Sequence, residues 1–101
     1  MTNKRKIQIL KGAIKYFEII LSNEEYNEYG ICDTIRFVLM NKSEINRYKA
    51  DGRGTNEYFS QEFKIRMPKP IDEAGFCWAR TSRGYQSRIK ACKQAIKELS
   101  K

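Results

Sequence analysis

Histidine is missing from all 101 residues. Imidazole acid/base catalysis, Ser-His-Asp and Cys-His nucleophiles and histidine-held metals are therefore excluded. Cysteine occurs only at Cys32, Cys77 and Cys92. An odd number without a C-x-x-C spacing speaks against both a disulfide framework and a thiolate zinc site. Their mostly apolar neighbours, Ile31, Phe76, Trp78 and Ala91, mark them as small buried hydrophobes in a reducing compartment, the cytoplasm. No apolar stretch approaches the roughly 20 residues that a membrane span needs, so no membrane partner is expected. The opening Met1-Thr2-Asn3-Lys4-Arg5-Lys6 is basic but passes straight into an amphipathic segment, unlike a secretory signal.

What is present describes one soluble domain over residues 1–101: 41% of the residues are apolar and 32% charged. The spacing predicts a helix over about residues 4–21. Ile7, Leu10, Ile14, Phe17 and Leu21 form one stripe, and Ile9, Ala13, Tyr16 and Ile20 an adjoining one. Gly12 in its middle costs about 1 kcal/mol against alanine and suits a close helix crossing. A second helix is expected over about residues 30–41, with Ile31, Ile35, Val38 and Leu39 on one face. Its β-branched residues leave a buried strand as the competing reading. Ser43 is a candidate cap for a short helix, and Asp51-Gly52-Arg53-Gly54-Thr55 reads as a turn. Phe63, Ile65 and Met67 alternate with Lys64 and Arg66, the pattern of a short strand ended by Pro68, with Phe76–Arg80 as its returning partner. A last helix over about residues 85–99 carries Tyr85, Ile89, Cys92, Ile96 and Leu99 on one stripe. The expected fold is mostly α (α+β): three main helices with a short two-stranded antiparallel element.

The formal net charge is +8, unevenly spread. Residues 1–21 hold five bases and one acid, residues 22–35 four acids and no base, and residues 74–101 seven bases and one acid. Both terminal helices place bases at their N-termini, where the helix dipole favours acids. An anion bound there would turn that mismatch into attraction, since a helix N-terminus also offers free backbone N–H groups. Arg80, Ser82, Arg83 and Arg88 would contact such an anion through guanidinium forks and a hydroxyl, with Trp78 and Tyr85 as stacking surfaces. The same residues also read as a solvated cap, with Ser82 as N-cap and arginines lying over apolar surface. Further along, Lys90, Lys93, Lys97 and Lys101 share one face of the last helix, either its wet side or a track for a nucleic-acid backbone or acidic partner.

Catalytic groups are sparse. Asp51 followed by Glu62-Phe63-Lys64 has the order of a D…E-x-K metal-dependent nuclease, in which two carboxylates hold Mg²⁺ and a lysine stabilises charge. Asp51 falls in a turn, however, and no cysteine has an identifiable base. Enzymatic activity is not expected, and neither is a cofactor or a metal.

The order of an amphipathic first helix, Tyr29-Gly30-Ile31-Cys32, an aromatic-rich middle, Phe76-Cys77-Trp78 and Arg88-Ile89 opening a final helix resembles small, mostly uncharacterised bacteriophage accessory proteins of the host-takeover and counter-defence kind. The resemblance implies a non-structural protein acting in the host bacterial cytoplasm. It would sequester a nucleotide immune signal or occlude a host defence protein complex that handles nucleic acid. A homo-oligomer with pockets between chains would suit the first role. The favoured expectation is therefore a non-enzymatic binding protein for an anionic ligand of nucleotide type or for such a host complex. The alternatives are a basic nucleic-acid-binding protein and a metal-dependent nuclease.

Overall fold

The computed structural model describes residues 1–26, 30–51, 55–66 and 81–101, with the backbone alone at 50, 51 and 55–58. The described chain is mostly helical, with α1 over Asn3–Asn23, a single turn α2 over Ile31–Asp33, a π-helical segment over Thr34–Leu39, α3 over Lys42–Asp51, α4 over Thr55–Glu62 and α5 over Ser82–Leu99. Among the described residues no helix is long and apolar enough to cross a membrane.

The first helix starts where Thr2 accepts a hydrogen bond from the Arg5 N–H at 3.1 Å, satisfying one of the donors that a helix start leaves open. It ends at Glu24, whose φ of 55° lies in the left-handed region that stops a helix. The buried side falls between the two expected stripes. Ile9, Leu10, Ala13, Phe17 and Ile20 are buried, while Ile7, Ile14 and Leu21 flank them half-buried. Helix α5 is begun by Thr81, whose hydroxyl accepts from the Gly84 N–H at 3.2 Å. This moves the cap from the expected Ser82, which lies inside the helix, and lengthens the element at its N-terminal end.

These two long helices form the frame. Phe17, late in α1, meets Tyr85, early in α5, edge to face with 5.7 Å between ring centroids. At the other end Lys6 of α1 reaches Glu62, and the adjoining residues 64–66 lie beside Gln94 and Glu98 of α5. The helices therefore run side by side in opposite directions. Full burial of side chains such as Phe17, Leu10 and Ile9 contributes about 1.5–3 kcal/mol each. Gly12 of α1 faces Leu39, where an added Cβ would stand 3.2 Å from a Leu39 methyl. The close approach expected of this glycine is thus made to the π-helical segment.

Three expectations for the middle of the chain change. Residues 31–39 are helical, but the Met40 N–H bonds back to the Ile35 carbonyl at 3.0 Å, the five-residue reach of π winding. More residues fill each turn, so Val38 fails to come round to the face of Ile35. It stands exposed beside Phe37 instead of joining the core. Helix α3 is capped by Asn41, not Ser43. The Asn41 side chain accepts from the Glu44 N–H at 2.9 Å and the Glu44 carboxylate accepts from the Asn41 N–H at 2.9 Å, a reciprocal capping box. Asp51 ends α3 and Thr55 begins α4, so both ends of the expected turn are helical, and its middle, residues 52–54, lies outside the described residues.

No strand occurs among the described residues. Phe63, where the first of the two expected strands begins, closes α4 by donating its N–H to the Phe59 carbonyl at 3.0 Å. Lys64 then takes φ 55°, the left-handed step that commonly follows a helix end. Reversing the chain at Lys64 buries both Phe63 and Ile65, which is why these positions mimic strand alternation. Met67 and the proposed returning strand 76–80 lie outside the described residues. Phe63 joins Phe59 and Tyr48 in a second aromatic cluster, with centroid separations of 5.5 and 5.2 Å.

Candidate nucleic-acid interface

Basic residues serve different purposes at the starts of the two long helices. Lys4, Arg5 and Lys6 open α1 against its dipole, yet two of them are committed to carboxylates. Arg5 grips both Glu44 carboxylate oxygens along one guanidinium edge, through Nε at 2.8 Å and Nη2 at 2.9 Å, and Nη2 also reaches the Leu39 carbonyl at 3.4 Å. Lys6 meets Glu62 at 3.2 Å. The hydrogen bonds from Arg5 hold the Glu44 carboxyl below its ordinary range; burial opposes this and the Asn41 N–H reinforces it. The first of the two expected anion sites is thus occupied by the protein's own acids.

At the second, the four expected ligand contacts that lie among the described residues do not share one surface. Ser82 and Arg83 are exposed on the first turn of α5. Tyr85 is fully buried, ringed by Phe17 and Tyr26, so it presents no free stacking face. Arg88 is turned inward and only 5% exposed, with its guanidinium carbon 4.2 Å from the Tyr85 ring centroid. This cation–π contact helps to accommodate a charge on the apolar side of the helix. Trp78 and Arg80 lie outside the described residues.

The lysine row, by contrast, is built as its spacing indicates. With 3.6 residues per turn, Arg83, Lys90, Lys93 and Lys97 fall within an arc of about 80°, nearly opposite the buried stripe of Tyr85, Cys92 and Leu99. Arg83, the three lysines and Lys101 are all exposed. Among the described residues, no carboxylate pairs with Lys90, Lys93, Lys97 or Lys101. Lys90, Lys93, Gln94, Ile96, Lys97 and Ser100 line a shallow depression of about 520 Å³. At 1.5 Å rise per residue, successive lysines advance by about 4.5 and 6 Å, on the scale of neighbouring phosphates along a strand. Such a row can exchange bound counterions for a phosphate backbone.

A neighbouring cleft of about 300 Å³ was not expected. It lies between the chain after α4 and the C-terminal half of α5, and is lined by Ser60, Lys64, Ile65, Arg66, Gln94 and Glu98. The period-two pattern of 63–67 concealed it.

Of the two carboxylates in the nuclease motif, the structure places one. Glu62 already bonds Lys6, and the side chain of Asp51 lies outside the described residues. Among the described residues no three His, Cys, Asp or Glu side chains gather to hold a metal ion. Cys32 and Cys92 are buried, and burial pushes their thiols up to about 11 and about 12, so they stay protonated and unreactive. Cys77 lies outside the described residues. No family model matches the chain, and neither a curated protein nor a solved structure resembles it.

Proposed function

We propose that this is a non-enzymatic protein that binds nucleic acid along the outward face of α5. The carrying observation is the row of Lys90, Lys93, Lys97 and Lys101, exposed and without carboxylate partners among the described residues. A small nucleotide at the start of α5 is the weaker reading, because Tyr85 and Arg88 belong to the core while Ser82 and Arg83 are the ones that face outward among the described residues of that site. In the setting implied by the phage resemblance, the protein would act in the host cytoplasm. There it would cover nucleic acid and so deny it to a host complex that handles it.

The reading is tested by fluorescence anisotropy with a short labelled DNA across a salt series. Binding through four or five cations gives a log–log salt slope of about −3 for a single strand. Lys93→Gln with Lys97→Gln should make that slope shallower by about 1 and weaken binding without lowering the melting temperature. Saturable binding of a mononucleotide or cyclic dinucleotide, unaffected by those substitutions, would restore the small-ligand reading instead.

A further inference from the structure

We propose that the cleft beside the lysine row seats one unpaired nucleobase whose amino group stands where thymine and guanine carry a carbonyl oxygen, namely cytosine or adenine, making the protein selective for single strands. This rests on the reading of α5 as a nucleic-acid face and adds to it what the cleft would recognise.

The cleft has three kinds of wall. Ile65, only 1% exposed, closes the floor of the cleft with the edge of the core. Ser60, Gln94 and Glu98 offer hydrogen-bonding groups for its edge, and the exposed Lys64 and Arg66 offer positive charge for the attached phosphate. Lys64 occupies a left-handed position that glycine often fills, so a cation stands at the lip where a side chain with a Cβ is unusual. The volume of about 300 Å³ admits a base and excludes a duplex. Bases in a duplex are stacked and paired, so only an unpaired one can be turned out into such a space.

Gln94 connects the cleft to the row. It lines both the cleft and the depression formed with Lys90, Lys93 and Lys97. A strand whose phosphates follow those lysines therefore passes the cleft mouth without leaving α5. Glu98 decides which base enters. It is the only acid of α5, lies off the lysine arc, and forms no ion pair among the described residues. An ionised carboxylate only accepts hydrogen bonds. It takes one from the amino group of cytosine or adenine and repels the carbonyl oxygen that thymine and uracil carry at the same place.

The test compares fluorescent oligo-dC, oligo-dA and oligo-dT with a duplex of equal length at one salt concentration, using the wild type and Glu98→Gln. The expected result is roughly 10-fold tighter binding of oligo-dC and oligo-dA than of oligo-dT or the duplex. A glutamine side chain both donates and accepts, so Glu98→Gln should bring oligo-dT within about 3-fold of oligo-dC while leaving the salt slope unchanged. Gln94→Ala provides a second variant, expected to weaken oligo-dC and spare the duplex. Equal affinity for all four probes, with binding still weakened by Lys93→Gln and Lys97→Gln, overturns the cleft and leaves the α5 face standing. Absence of binding to every probe overturns both.

Discussion

The two long helices begin with similar excesses of positive charge and use them in opposite ways. In α1, Arg5 and Lys6 turn back onto the molecule and tie the helix to Glu44 and Glu62, which belong to α3 and α4. In α5 the lysines point away, and the one arginine that turns inward, Arg88, stacks on an aromatic ring. A basic residue thus says little about partners until its neighbours are known. Lys4, Lys11 and Lys15 remain exposed on the outer side of α1, but they share that side with Glu18.

The contrast is broken most forcefully by reversing the outward charges. Lys90→Glu with Lys93→Glu and Lys97→Glu should reduce DNA affinity more than 100-fold at low salt, with the melting temperature within about 2 °C of wild type. The matching reversal of Lys4, Lys11 and Lys15 should cost only about 3-fold; an equal loss would mean that both helices serve the same interface. The inward charges should show the converse. Glu44→Ala removes the partner of Arg5 and half of the α3 cap, so it should destabilise by about 1–2 kcal/mol and lower the melting temperature by roughly 4–15 °C, leaving DNA binding intact.

Acid should probe the same clamp. The folded Glu44 carboxyl titrates below its ordinary value of 4.5, so the unfolded chain takes up the proton first. Its contribution is complete above about pH 4.5 and fades as pH falls through the lower folded value. Chemical denaturation across this range should give a shallower acid loss for Glu44→Gln than for wild type. The smallest effect belongs to Lys6→Ala, because the Glu62 side chain it pairs with is 36% exposed and solvent weakens the pair. A loss of about 0.5–1 kcal/mol is expected in the same measurement.

The terminal helices were legible because periodicity is a strong signal over eighteen or more residues. The lysine row was legible for the same reason: spacing on a regular helix fixes which side chains share a face. The fate of Tyr85 and Arg88 was not, since it depends on Phe17 and Tyr26, far away in the chain. Helix α4 escaped notice because it is short and its apolar signal reduces to Phe59 and Phe63, four residues apart. Phe63 and Ile65 then imitate a strand, and only the backbone turn at Lys64 separates the two cases. That turn also brings residues 64–66 against Gln94 and Glu98, roughly thirty positions later, and no local pattern encodes such a meeting.

The π winding of residues 34–39 leaves Phe37 64% and Val38 51% exposed, with the Arg36 guanidinium carbon 3.9 Å from the Phe37 ring centroid. Mutual repulsion from a net charge of +8 should hold these oily tips apart in dilute buffer. Concentrated salt used to strip nucleic acid during purification will screen that repulsion while strengthening apolar contact, so colloidal stability should fall steadily as ionic strength rises.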